Sequence, residues 1–326
     1  MKAVYALCAA GAALSFATVA TADDRAGWPE SFTVATASQG GTYFAYGNGW
    51  ANLVADELGL SGGGEVSGGP GQNMALVHTG QTAFGMTTMG PAREALDGNN
   101  PLAPGVVMDN ACAMFPMYQT PFSVTTLSSS GITSIAEIPA GAKIGFGPAG
   151  STSDTYFPRM METLGVEFER RNGSWNDLGG QLQDGLLDVI AFAAGVPVPA
   201  VSQLEVQTEV NIIEFTDEEK AKILEAFPVS PFMITADTYS TLTEDARSVS
   251  MWNFAIANCD LPESFVYAAT EVVMSDNERM VTIHKAARST VPENWDKNGF
   301  MKWHPGAAKW FNENGAEIPA EMIHGG

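Results

Sequence analysis

From Phe32 to Trp50 the chain reads FTVATASQGGTYFAYGNGW. Phe32 and Val34, with small residues around them, predict a short buried strand, and past Gly40 and Gly41 apolar positions recur at Tyr43, Gly47, Trp50, Val54 and Leu58. That spacing is helical. Two glycines allow positive φ and a close approach to a ligand, and Thr42 stands where an N-cap hydroxyl would satisfy a free amide. A strand, a glycine turn and an open helix N-terminus make a natural seat for a carboxylate or other anion.

The same rhythm continues. A glycine-rich passage gives a short strand at Glu65 to Ser67 and a helix at Gly71 to His78, followed by a strand at Ala83 to Thr87 and a helix at Ala92 to Leu96. Cys112 to Leu127 holds two extended runs broken near Thr120 and Pro121. A second rhythm follows, with a strand at Lys143 to Gly147, a turn and helix at Gly150 to Leu164, a helix at Trp175 to Asp184 and a strand at Val189 to Phe192. A strand at Val210 to Phe215 and helices at Asp217 to Ala226, Ala246 to Ala257, Glu263 to Met274, Asn277 to Ser289 and Gly306 to Asn314 complete the pattern. Alternating strands and helices predict open, largely parallel sheets, and the length calls for two lobes: lobe one from 23–121 and 231–326, lobe two from 122–230. Crossings near Thr120 to Phe122 and Ser230 to Phe232 would form a hinge, with Trp175 as its optical reporter. In such folds the ligand cleft lies between the lobes, at the carboxyl ends of strands.

The first residues carry Lys2, an apolar run from Ala3 to Val19 and the triplet Ala20, Thr21, Ala22. Residues 1–22 read as a signal peptide rather than a membrane span, since Asp23 and Asp24 follow at once, and the mature protein is expected in the periplasm. With 16 Lys and Arg against 37 Asp and Glu, a net charge of −21 argues against nucleic acid or an anionic membrane as partner. Cys112 and Cys259 remain after processing, and an oxidising compartment permits a bridge. The apolar run ACAMFPMY around Cys112 favours a buried free thiol.

Catalytic signatures are absent. No G-x-S-x-G occurs, GPAGSTSD at Gly147 to Asp154 lacks the lysine of a phosphate loop, and the four histidines offer no paired spacing for zinc. Neither cofactor nor metal is expected. Glycine turns with hydroxyls at GGTY, SGGPGQN and GSTS offer donors without a nucleophile or base, which favours binding over catalysis.

The turn GGTY, the run DGLLDVIAFAAGVPVPAV at Asp184 to Val201 and HPGAAKWFNENG at His304 to Gly315 resemble the TAXI-type solute receptors of TRAP transporters over essentially the whole mature chain. The resemblance implies an α/β, two-lobed periplasmic-binding-protein fold of class II. It also implies capture of a small organic acid or amino acid, glutamate- or glutamine-like or a dicarboxylate, and delivery to a TRAP membrane permease driven by an ion gradient. Two departures stand out. Gly150 to Ser153 replaces the family's GSGT, so that with Pro158 close behind the helix is expected to start near Asp154, and ITADTYSTLTED at Ile234 to Asp245 replaces a proline-glycine turn. An ABC-importer receptor of the same fold, and a secreted hydrolase using a serine of the GSTS turn, are the alternatives.

The candidate contacts in lobe one are Thr36, Ser38, Gly40, Gly41, Thr42, Tyr43, Gln72, Asn73, Thr87 and Thr88. In lobe two they are Ser151, Thr152 and Ser153, with Gly195 and Pro197 shaping the cleft. A carboxylate invites an arginine fork, and Arg93, Arg159, Arg170 and Arg171 lie near the predicted cleft edges.

Overall fold

The computed structural model describes residues 25–326; the expected signal peptide at 1–22 lies outside them. Strands β1 (Ser31–Ala35), β2 (Ser61–Glu65) and β3 (Phe84–Thr88) pair in parallel, and each runs into a helix: α1 (Thr42–Leu58), α2 (Pro70–His78) and α3 (Met89–Leu96). Buried Tyr46, Trp50 and Val54 form the inner stripe of α1 and pack with Phe84 and Phe115 in the first core.

One long strand, β4 (Ala111–Leu127), then carries the chain out of this lobe. It supports β5 (Ala142–Gly145), α4 (Thr152–Thr163), β6 (Phe168–Arg171), α5 (Trp175–Gln183), β7 (Val189–Ala193), α6 (Pro199–Gln207), β8 (Val210–Ile213), α7 (Asp217–Ala226) and β9 (Ser230–Ile234). The return is a second long strand, β10 (Ala246–Asn258), followed by α8 (Glu263–Met274), α9 (Asn277–Ile283) and α10 (Pro305–Glu313). The strand order is β2-β1-β3-β10-β4-β7-β5-β6. The two halves of β4 serve different sheets: Ala111 to Pro121 pair with β10, and Phe122 to Leu127 with β7 and β8. In β10, Val249 and Met251 pack in the second lobe's cores and Phe254 to Ala257 in the first. The described chain is thus a two-lobed α/β protein whose lobes share two continuous strands.

Several expectations are corrected. Ala246 to Ala257 is a strand rather than a helix; it is buried on both faces between β3 and β4, which erases the alternation that marks a strand. Cys112 to Leu127 is not broken at Pro121, and the short strand before α2 ends at Glu65 rather than starting there. The expected helix over Asn277 to Ser289 divides at extended His284 into α9 and a 3-10 turn, Lys285–Ser289.

Helix α4 begins at Thr152, earlier than Pro158 suggested. Ser151 caps it by accepting from the Asp154 amide at 3.1 Å, and Pro158 sits inside. Proline deprives the Asp154 carbonyl of its helical donor. The Arg170 guanidinium replaces it at 3.2 Å.

Cys112 and Cys259 form a disulfide with Cα atoms 5.3 Å apart, so the expected free thiol is wrong. An apolar setting does not separate the two cases, because a cystine buries as readily as a thiol.

Candidate functional site: a cavity between the lobes

The ends of β1, β2, β3 and β5 face one another across the crossing strands, and the turns after them enclose a cavity. Its walls are Ala37 and Gly41 to Tyr43, Gly68 to Pro70, Thr88 and Thr120, and on the opposite side Pro148, Ser151, Thr152, Trp175, Ala193 and Ala194. Four helices begin here. α1, α2 and α3 start after Gly41, Gly69 and Thr88, none with a side-chain cap, and α4 starts after Ser151. The first amides of each helix lack intrahelical acceptors, and each end carries roughly half a positive charge. Among the described residues lining the cavity none is charged. The arrangement offers directional donors and positive potential to an anion.

The local sequence explains the shape. Gly40 has φ 81°, which opens the turn into α1, whereas Gly41 has φ −93° and is open to any residue. Gly41 is needed for space: a Cβ there would lie 2.8 Å from Cδ1 of Trp175. The Trp175 ring is held by stacking on Phe192, centroids 4.4 Å apart. Asp154 braces the opposite turn by accepting from the Gly150 amide at 2.9 Å, from Asn172 at 2.6 Å and from Arg170.

Behind this lining sits a buried polar knot. Oδ1 of Asn253 accepts from Tyr43 at 2.6 Å and Thr88 at 2.9 Å, while its amide donates to the Tyr118 carbonyl at 2.6 Å and to the Thr120 hydroxyl at 2.8 Å. Thr88 reaches across the cleft to Thr152 at 2.8 Å. Burial pushes the Tyr43 and Tyr118 phenols well above their ordinary range, so both stay neutral.

Of the expected contacts, Gly41, Thr42, Tyr43, Thr88, Ser151 and Thr152 line the cavity. The others hold it in shape. Thr36 donates to the Glu65 carbonyl at 2.7 Å, Thr87 donates to the Thr88 carbonyl at 3.3 Å, and Gln72 accepts from the Gly68 amide at 2.7 Å. Asn73 ties Thr36 to Met86, with both bonds at 2.8 Å. Ser153 donates to the Ala191 carbonyl and accepts from the Ala193 amide. The Gly40 carbonyl accepts from Ala200 at 3.0 Å, and that of Gly195 accepts from Thr42. Ser38 is buried with a hydroxyl that has no partner, and Pro197 borders a different cavity. Thr42 is not the cap of α1; that position is Gly41.

None of the four arginines reaches this cavity. Arg93 pairs with Asp97, Arg159 with Glu94, Arg170 with Asp154 and Arg171 with Glu169. Trp175, expected to report on the hinge, lines the cavity itself, and Asn253 stands in β10, where the sequence pattern predicts a helix. Cys112, Cys259 and His324 place their ligating atoms within 4.8 Å, but the disulfide consumes both sulfurs. The HPGA sequence is structural. His304 caps α10 by accepting from the Gly306 amide at 3.1 Å, and Gly306 lets that helix press on the backbone of α8. No helix of the described residues is long and apolar enough to cross a membrane.

Solved structures of the same fold include MatC from Rhodopseudomonas palustris with bound malate, at 14% identity, TM-score 0.58, covering 87% of this chain and 95% of that one. Rpa4515 of R. palustris with adipate matches at 15% identity and TM-score 0.56, covering 80% of this chain and 88% of that one. The periplasmic binding protein BugD matches at 15% identity and TM-score 0.56, covering 89% of this chain and 99% of that one. These likenesses establish the two-lobed fold of periplasmic binding proteins. The sequence pattern of the NMT1-like family matches residues 34–315, and the chain belongs to that family.

Proposed function

We propose that this protein is an extracytoplasmic receptor that captures a small organic acid or amino acid, a dicarboxylate or a glutamate-like molecule, in the cavity between its lobes. It then hands the ligand to a TRAP membrane permease as a TAXI-type receptor. The observation that carries the reading is the convergence of four helix N-termini on one inter-lobe cavity without a charged side chain. The first amides of these helices and the Thr152 hydroxyl, with the Trp175 indole, would hold the anionic group. That malate and adipate occupy two structures of this fold supports the dicarboxylate reading.

The cavity measures about 30 Å³, against roughly 300 Å³ or more for ordinary ligand pockets, so the lobes part to admit a ligand. β4 near Pro121 and β10 near Met251 are the two places to bend; Ser230 to Phe232, expected as the second crossing, instead pairs with the second-lobe half of β10. Ser151 and Ser153 spend their hydroxyls on backbone groups and on no histidine, which argues against a serine hydrolase.

A thermal-shift panel of dicarboxylates and amino acids tests the proposal, since a ligand bound only by the folded state stabilises it by mass action. At least one compound should raise the melting temperature and be recovered intact. Turnover of the compound, or no stabilisation across the panel, overturns the reading. Uptake with the cognate permease that follows an imposed ion gradient and not ATP tests the TRAP assignment.

A further inference from the structure

A second cavity, about 170 Å³, flanks the crossing strands. Its walls are Tyr118 and Gln119 of β4, Val196 and Pro197, the stretch from Phe232 to Thr238, and the 3-10 turn Lys285–Ser289. Gly195, which holds Thr42 in the first cavity, packs on the ring of Tyr118 and so stands between the two.

Lys285 and Arg288 are three residues apart in a 3-10 turn, where such side chains eclipse and face the same way. Both line this cavity, and among the described residues neither makes an ion pair or a hydrogen bond. In a chain with 16 cations against 37 acids, two unpaired cations sharing one concavity are uncommon company. The acid facing them is Asp237, whose carboxyl is held below the usual range first by the Thr235 hydroxyl and then by Arg288 and Lys285. Gln119 accepts from Ser250 at 2.6 Å through its carbonyl oxygen, which leaves its amide NH2 as a donor. The overall negative charge opposes an anion, but screening over ~8 Å leaves the local pair to decide.

We propose that this flanking cavity binds a compact dianion, a dicarboxylate or inorganic phosphate, with Arg288 as the planar two-pronged donor and Lys285 as the second charge. Its walls come from both sides of the crossing strands, so the occupant adds contacts that span them. The site stands apart from whatever fills the helix-lined cavity.

Calorimetric titration with inorganic phosphate and, separately, with succinate tests this, using the wild type, Arg288→Lys and the double variant Lys285→Ala with Arg288→Ala. At low salt one of the two anions should bind saturably, weaken about tenfold to a hundredfold in the double variant, and fall between the two in Arg288→Lys. Which anion responds identifies the source. Both substituted side chains are exposed, and an unchanged melting temperature without anion confirms the fold. Compounds that stabilise the protein through the helix-lined cavity should still do so in the double variant. The inference is overturned if neither anion saturates, or if the double variant binds as the wild type does, whatever the panel of organic acids shows.

Discussion

The hydroxyl of Thr42, first residue of α1, donates to the carbonyl of Gly195 after β7, tying together groups 153 positions apart. Both residues are buried. Thr42 is therefore a latch between the lobes as well as a wall of the cavity. Thr42→Val removes the donor at nearly constant volume, and a neutral hydrogen bond contributes about 0.5 to 1.5 kcal/mol net. Affinity for the captured ligand should fall about two- to tenfold, with Thr42→Ser close to wild type. A loss of two orders of magnitude in calorimetry would mean instead that the hydroxyl bonds the ligand's charge.

Asn253 should matter more to stability than any hydroxyl it binds. Tyr43→Phe removes one of two donors to its oxygen and should lower unfolding free energy by about 1 kcal/mol. Asn253→Leu strands the Tyr118 carbonyl and three hydroxyls and should lower it by about 3 kcal/mol or more. Denaturant unfolding of both variants measures this, and equal losses would refute the central role of Asn253.

The βα rhythm of each lobe was legible because strand, glycine turn and helix are encoded within a few dozen residues. The same rhythm points to Thr42, Tyr43 and Ser151, which line the cavity between the lobes, since helix N-termini at strand ends carry local signals. What was hidden is long-range. β10 shows no alternation because it is covered on both faces, and its misreading concealed Asn253. The Cys112 to Cys259 pairing spans 147 positions. The turn residues Gln72, Asn73 and Ser153 read as ligand contacts, yet the Gln72 oxygen, the Asn73 amide and the Ser153 hydroxyl bond backbone groups.

Acid should loosen the His304 corner. Burial lowers His304 to about 4 in the fold, against about 6.5 when exposed, and its Nδ1 accepts a hydrogen bond that protonation would break. A depressed folded value means stability fully present above pH ~6.5 and lost as pH falls towards 4, by up to about 3 kcal/mol. His304→Asn keeps a capping side chain and should flatten that slope. Unfolding measured at pH 7 and 4.5 checks it; parallel curves would show that His304 does not titrate in this range.

Thiol titration of the denatured, unreduced protein should find no reactive thiol at Cys112 or Cys259. Replacing both by alanine should lower stability by about 2 to 5 kcal/mol, because the bridge closes a loop of 147 residues. Two titratable thiols, or a melting temperature indifferent to reductant, would contradict the bridge.

The most direct measurement of the central claim is calorimetric titration of wild type and Gly41→Ala with the compound that most stabilises the wild type. Gly41 has φ −93°, so alanine fits the backbone, but its Cβ would press on Trp175 inside the cavity. The account predicts that the tightest site of the wild type is at least roughly tenfold weaker in Gly41→Ala, at a melting temperature within a few degrees without ligand. Equal affinity in the two proteins would place the ligand elsewhere and contradict the account.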